Sequence, residues 1–334
     1  MDVNVDMGES FGRYTLGDDE AIMQAGATSI NVATCFHAGD PTVLVQTVKW
    51  AKQYGVAVGA HPGLPDMQGF GRRRMDISRE ELYADMLYQI GALDGVCRVF
   101  GVPLQHVKPH GVLYRMVSEE EYYMDTFLEA IASYNPDLFI VLPKSTPGFE
   151  RGVRKGLRMA AEALIDLGFT DEGIGVIERV KVERSPEEVA ARAVKVAIEG
   201  KIDTISGKVI DIEAATVCCH GDAPNAAAEV TAVVRALKAA GVPVGNLGGQ
   251  SAASSRQGVV GVETTIVAHM PGMVARVVVA EGDRVVAGQE VAVLSVMKTE
   301  LSVESQVSGV VSQVIVQEWD EMEVGSPMLV VQAD

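Results

Sequence analysis

Two stretches near the C-terminus carry the same residue types at the same spacing, displaced by 37 positions. Gly272, Val274, Val277, Glu281, Asp283 and Gly288 are matched in order by Gly309, Val311, Val314, Glu318, Asp320 and Gly325. A unit this short cannot bury its apolar side alone, so the two copies must cover each other. The pattern predicts two matching β-layers packed face to face. Near the middle stands Val296-Met297-Lys298-Thr299-Glu300, which puts a lysine on a hairpin tip in solvent. A covalently attached arm is presented in that way. A lone surface lysine would need no such reading, but the repeat and the preceding Met297 single out Lys298.

The quoted residues, together with Met270-Pro271-Gly272, Glu281-Gly282-Asp283 and Ala287-Gly288-Gln289, make residues 262–334 resemble the biotinyl/lipoyl carrier domain, a small all-β flattened barrel. In that family the lysine of a Met-Lys-Met hairpin carries biotin, whereas lipoyl versions have Asp-Lys. The resemblance therefore implies biotin on Lys298, with Met297 as its marker, and Thr299 departs from the usual second Met.

The chain has 334 residues, 48% of them apolar, enough for two domains with a sizeable core. The N-terminal Asp2-Val3-Asn4-Val5-Asp6 lacks the basic and apolar segments of a signal peptide, and no run of 18 apolar residues predicts a membrane span. Cys35, Cys97, Cys218 and Cys219 lack zinc-finger spacing and read as reduced thiols. Together these predict a cytoplasmic protein. A formal charge of −17 argues against a nucleic-acid surface.

Residues 1–245 alternate short β-branched runs with amphipathic stretches, the pattern of an α/β domain. Expected strands are Val3–Val5, Ser29–Ala33, Val56–Ala60, Gln105–Val107, Leu138–Leu142 and Thr216–Cys219. Capping boxes are expected at Ser78/Glu81, Ser118/Glu121 and Ser185/Glu188. Residues 155–184 mix helical and strand pattern without clear boundaries. The Gly/Ser/Ala-rich residues 246–261 read as a flexible linker, the tether a travelling carrier needs.

Polar clusters follow the expected strands: Asp6 with Glu9, His37 with Asp40, His61, Lys108 with His110, and His220 with Asp222. Parallel barrels and open parallel sheets gather such groups where loops converge at the carboxyl ends of strands. Each residue also has a plainer reading. Asp40 before Pro41 suits a helix N-cap as well as a site residue, and His106 suits a packed core. In Gly69-Phe70-Gly71-Arg72-Arg73-Arg74, Arg72 and Arg73 could clamp a substrate carboxylate or phosphate, although a solvated loop is the commoner outcome. Asp6, His37, His61 and His220 suit a divalent metal by ligand type, yet no H-x-x-x-H spacing occurs. No P-loop is present.

Met7-Gly8-Glu9-Ser10-Phe11-Gly12, Phe36-His37-Ala38-Gly39-Asp40-Pro41, Gly59-Ala60-His61-Pro62-Gly63, Gln68-Gly69-Phe70-Gly71-Arg72-Arg73, His106-Val107-Lys108-Pro109-His110-Gly111 and His220-Gly221-Asp222 make residues 1–245 resemble the LamB/YcsF family, the A subunit of bacterial ATP-dependent 5-oxoprolinase. The resemblance implies an irregular TIM-like β/α barrel of the glycoside hydrolase/deacetylase kind, and work with B and C partner subunits. This chain departs from the family's Asn-Cys-Asp at Val5 and from its Ala-Cys-Gly-Phe-His at Thr34 and Cys35. Glu162-Ala163-Leu164-Ile165-Asp166-Leu167 only faintly echoes the family's Glu-x-Phe-Ala-Asp-Arg, with Leu167 in place of Arg.

These implications give an ATP-dependent lactam hydrolase subunit opening 5-oxoproline, its ATP bound with the partner subunits. Asp6, Glu9 or His61 would be the general base, Lys108 would meet negative charge on oxygen or phosphate, and His110 or His220 would orient it. Biotinylation implies a biotin protein ligase as partner. Two alternatives are a biotin-dependent carboxylase component acting on a related amide or lactam, partnered by a biotin carboxylase, and a non-catalytic scaffold displaying a biotin carrier.

Overall fold

The computed structural model describes residues 1–176, 183–249, 263–268, 271–296, 299–305 and 307–333. The chain divides into two compact units, Met1–Ala253 and Ser254–Asp334. Residues 250–261, most of the expected linker, lie outside the described residues, as do Met297 and Lys298.

In the first unit the described residues form a closed parallel barrel of seven strands. These are β1 (Asp2–Met7), β2 (Ser29–Ala33), β3 (Ala57–His61), β4 (Leu104–Val107), β5 (Phe139–Leu142), β6 (Arg158–Leu164) and β7 (Thr216–His220). They follow one another around the barrel in chain order, and β7 closes it on β1, with Val5 opposite Cys219 and Asp6 opposite His220. Six of the strands coincide with expected ones. The seventh, β6, lies in the segment whose pattern had no clear boundaries. Its Met159-Ala160-Ala161-Glu162-Ala163-Leu164 is made of good helix formers, but burial between β5 and β7 imposes the strand.

The helices wrapping the barrel are α1 (Asp19–Ala25), α2 (Pro41–Tyr54), α3 (Arg79–Val99), α4 (Gly111–Glu119), α5 (Glu121–Tyr134), α6 (Pro147–Arg154), α7 (Pro186–Glu199) and α8 (Ala226–Ala239). Ser78 and Glu81 form the reciprocal capping box that opens α3, and Ser185 caps α7 through the Glu188 amide. The box expected at Ser118 is absent. Ser118 instead lies buried in the last turn of α4, and α5 starts after Glu120 with no side-chain cap. The preceding helix runs far enough to claim the serine.

Alternation along the strands sorts the residues. Val3, Val5, Ile30, Val32, Val58 and Ala60 belong to one buried apolar core with α2, α3, α5 and α8. The opposite faces fill the barrel with polar groups. Asp2 accepts hydrogen bonds from Thr28, Ser29 and Thr216, and Asn4 donates to Glu162 and Thr216. Asn31 reaches Asn4 and meets His106 Nε2 at 2.7 Å. His106 is thus the packed core histidine expected. A Cβ on Gly59 would fall 2.0 Å from its ring, so glycine there makes its room. A polar interior this dense is tolerable only because its groups are paired.

The second unit holds two four-stranded sheets. One contains Glu263–Val267, Pro327–Ala333, Gly309–Val314 and Arg284–Val285, and the other Thr299–Glu304, Glu290–Val296, Gly272–Val277 and Glu321–Met322, each in that order. The two layers expected from the repeat are present, with Val274, Val285, Val311 and Met322 buried together. The layers are not one per repeat, however. Each sheet combines strands from both copies. The repeated aspartates act alike, Asp283 accepting the Ala280 amide and Asp320 the Gln317 amide, each at 2.8 Å. The paired strands Glu290–Val296 and Thr299–Glu304 meet at Val296 and Thr299, with Met297 and Lys298 between them in sequence.

Candidate active site at the carboxyl ends of the barrel strands

Asp6, next to last in β1, is approached from four directions. Its Oδ1 takes the Asn31 amide at 2.7 Å and the Lys108 ammonium at 2.9 Å. Its Oδ2 lies 3.3 Å from His61 Nε2 and 3.5 Å from His220 Nε2. Burial alone would raise this carboxyl, but its interactions with His61 and the Lys108 ammonium outweigh that and hold Asp6 well below the usual carboxylate range. Asp6 is therefore a fixed anion and a weak base.

Lys108, just past β4, is 2% exposed. Its ammonium meets Asp6 at 2.9 Å, Glu162 of β6 at 2.8 Å and Cys218 Sγ of β7 at 2.9 Å. An ammonium has three donors, so these partners leave none for a substrate oxygen, and the oxyanion role expected of Lys108 has no donor to carry it. Burial opposes the charge, yet Asp6 foremost keeps the ammonium well above its ordinary value. Burial also pushes the Cys218 thiol far up, so its proton stays on sulfur. Tyr114 of α4 donates to the other Glu162 oxygen at 2.7 Å.

Four histidines complete the site. His220 ends β7; its Nδ1 lies 2.9 Å from both oxygens of Asp166, which also accepts the His220 amide. With 14% of its side chain exposed it is the most open of the four. His61 points Nδ1 at the Lys108 carbonyl oxygen, 2.7 Å away. His110 lies 3.0 Å from His61 Nε2 through Nδ1 and 2.8 Å from the Phe70 carbonyl oxygen through Nε2. His37 stacks on His110 with ring centroids 3.7 Å apart and planes 4° from parallel. Neither His37 ring nitrogen has a hydrogen-bond partner among the described residues. Burial, with His61 second, pushes His37 well down. Glu9 approaches His37 at 3.9 Å and His110 at 4.0 Å, and burial with the charges of Asp222 and Asp6 raises its carboxyl well above the usual range.

Gly71 brings the loop after β3 onto this group. Its φ is +61°, and a Cβ there would fall 2.7 Å from His110 and 2.8 Å from His37. Asp6, His61, Arg72, His110, Tyr114, Leu167 and His220 border a cavity of about 40 Å³, room for one water or ion. A larger cavity of about 560 Å³ shares Tyr114 and Leu164 with it.

Two groups of side chains come near a metal-ligand arrangement. Glu9, His37, His61 and His110 each place one ligand atom within 4.8 Å of the others, as do Asp6, Cys218 and His220. An imidazole binds metal in its ring plane, and the stacked His37 and His110 rings have parallel, separate planes. One ion cannot lie in both. In the other set the Lys108 ammonium already lies 2.9 Å from both Asp6 Oδ1 and Cys218 Sγ, and its charge opposes a second cation there. Neither arrangement fits a shared ion as it stands.

Residues 1–252 match the model of the LamB/YcsF family. The chain belongs to that family. Residues 264–331 match the biotin/lipoyl domain model described as "Biotin-requiring enzyme". The A subunit of 5-oxoprolinase from Acinetobacter baumannii is 41% identical over 238 residues, 71% of this chain and 93% of that protein. The corresponding A subunit from Thermus thermophilus is 41% identical over 246 residues, 73% of this chain and 98% of that one. The crystal structure of a lactam utilization protein, also from Thermus thermophilus, superposes with a TM-score of 0.68 at 40% identity, covering 73% of this chain and 98% of that chain. No described helix is long and apolar enough to cross a membrane.

Within this LamB/YcsF barrel the other expected site residues divide. Arg72 borders the small cavity, pairs with Asp222 at 3.2 Å and lies over the Phe70 ring. Arg73 turns away, 63% exposed, and holds Asp66. Asp40 is the N-cap of α2; Oδ1 accepts from Thr42 and Val43, and Oδ2 from Gly12. It fastens two loops and stands outside the histidine group. Glu162 and Asp166, absent from the expected site residues, are central to it. Their signal was the faint echo in Glu162–Leu167, obscured because the run reads as helix.

Proposed function

We propose that this chain is the lactam-handling subunit of a 5-oxoprolinase-type hydrolase, working with B- and C-type partner subunits that bind ATP. One observation carries the reading: Asp6, His61, Lys108, His110 and His220, from the ends of four strands, converge on one cavity. A scaffold has no use for a buried array of this kind.

A lactam carbonyl is a poor electrophile until its oxygen is phosphorylated. His220, oriented through Nδ1 by Asp166, faces the cavity with Nε2 and is the general base that takes the proton of an attacking water. It returns that proton to the ring nitrogen as water adds across the carbon–nitrogen double bond. Asp6, held anionic, stabilises the imidazolium that forms. Arg72 supplies a cation at the cavity wall, where Leu167 is apolar. The larger cavity admits the substrate. Ring opening leaves an acyl phosphate, and a second water converts it to the carboxylate.

The carrier unit supports a second reading in which biotin on Lys298, attached by a biotin protein ligase, brings a carboxyl group from a partner biotin carboxylase to a related amide. The match over residues 264–331 favours it. The complex reconstituted with partner subunits separates the two. ATP-dependent opening of 5-oxoproline without bicarbonate supports the hydrolase, strict dependence on bicarbonate supports the carboxylase, and activity of the chain alone overturns the partner requirement. Mass spectrometry of the intact chain reads biotin on Lys298 directly.

A further inference from the structure

Three hydrogen bonds run through His61 and His110, and they need one more proton than two neutral imidazoles hold. His61 Nδ1 lies 2.7 Å from the Lys108 carbonyl oxygen, and His110 Nε2 lies 2.8 Å from that of Phe70. A carbonyl oxygen only accepts, so both nitrogens carry hydrogen. A neutral imidazole has one N–H, which leaves His61 Nε2 and His110 Nδ1 as bare lone pairs. Those two atoms face each other at 3.0 Å. Two lone pairs repel there, and a proton between them makes a charge-assisted hydrogen bond.

The neighbouring charges require the same proton. Asp6 and Glu162 bring two negative charges to the single cation of Lys108. A buried excess of charge is costly, and one proton on the histidine pair cancels it. Asp6 Oδ2, 3.3 Å from His61 Nε2, is the counter-ion. The other groups facing the pair are Glu9, 4.0 Å from His110 Nδ1, and the stacked ring of His37. Because the counter-ion Asp6 stands beside His61 Nε2 and no carboxylate among the described residues lies as close to His110 Nδ1, the proton lies chiefly on His61.

We propose that His61 and His110 share a single proton, and that this proton goes to the ring nitrogen when the lactam C–N bond breaks. The second half rests on the hydrolase reading above; the first does not. As the tetrahedral adduct collapses, the C–N bond breaks, its electron pair goes to nitrogen, and His61 Nε2 supplies the proton of the new N–H bond. The adduct's hydroxyl gives its proton to His220 as the carbonyl re-forms. The histidine pair is left neutral, with its two lone pairs opposed, and regains a proton from solvent before the next turnover.

Nuclear magnetic resonance of the full chain labelled with ¹⁵N-histidine tests the shared proton without substrate. Scalar coupling between His61 Nε2 and His110 Nδ1 across the hydrogen bond is expected at neutral pH, and its loss in His110→Gln assigns it. Two ordinary neutral imidazoles without coupling would overturn the proposal, as would one-to-one zinc binding that replaces the coupling. Because the coupling is read on the unaltered chain, misfolding of a variant cannot mask the result. For proton delivery, His110→Gln in the reconstituted complex should lower kcat by roughly 10²–10⁴ with KM little changed. An unchanged kcat overturns delivery and leaves the coupling result standing.

Discussion

Lys108 on one side of the barrel and Asp6 on the other meet at 2.9 Å in the interior, and Glu162 joins them at 2.8 Å from the ammonium. This triad ties β1, β4 and β6 together through charges with almost no access to water. Removing the cation leaves two carboxylates buried against each other. Lys108→Met should therefore destabilise the first unit by about 3–5 kcal/mol, read from urea denaturation. Adding Glu162→Gln should restore part of the loss; strictly additive losses would show that the pair is not coupled.

Asp166 acts through His220. Asp166→Asn would present an amide N–H to Nδ1 and move the ring proton to Nε2, removing the lone pair that faces the cavity. The expected result is a fall in kcat of roughly 10²–10⁴ in the reconstituted complex, with circular dichroism and KM little changed. A proportionate rise in KM would point to substrate binding instead.

Asp19 opens α1 and accepts the Gly8 amide at 2.9 Å. Burial raises its carboxyl from 3.8 to about 6. A folded value above the unfolded one favours the protonated form, so ionisation costs stability at high pH, and the cost fades as pH falls from 6 towards 4. Asp19→Asn removes the ionisation and keeps an acceptor. It should be more stable than the parent by about 3 kcal/mol above pH 7 and by about 1 kcal/mol near pH 4.5. Urea midpoints across that range check this, and a gap that does not narrow would reject the burial argument.

Cys35 and Trp319 hold left-handed backbone at φ 70° and 80°, where residues with a Cβ are strained. The LamB/YcsF pattern has Gly at the position of Cys35, and the repeat partner of Trp319 is Gly282, with φ 93°. Cys35→Gly and Trp319→Gly should each raise stability by about 1 kcal/mol in their own unit. Calorimetry of the full chain will show which transition moves; a lowered transition would mean that side-chain contacts outweigh the strain.

The legible parts of this chain were those where side-chain alternation agreed with burial. Val3–Val5 and Thr216–Cys219 read as strands because outward valines and cysteines alternate with inward polar groups. The polar clusters at strand ends were legible because Gly and His stand out against an apolar run. β6 was not, since its alanines suit a helix locally and only the crowded barrel interior makes them a strand. With β6 went Glu162 and Asp166. The histidine pairing could not be foreseen, because it depends on two carbonyl oxygens, of Lys108 and Phe70, brought together by the fold.

The exchange of strands between the two repeat copies in the second unit has a consequence for how that unit can be divided. On either side of residues 305–308, one sheet has two strands from each part and the other has three from the first and one from the second, so neither part holds both complete sheets. This unit cut between Glu304 and Gly309 would yield two fragments that stay unfolded apart and assemble on mixing. Restoration of the fold would then report that two separate polypeptides had met, a property that would let the unit serve as a split sensor of proximity.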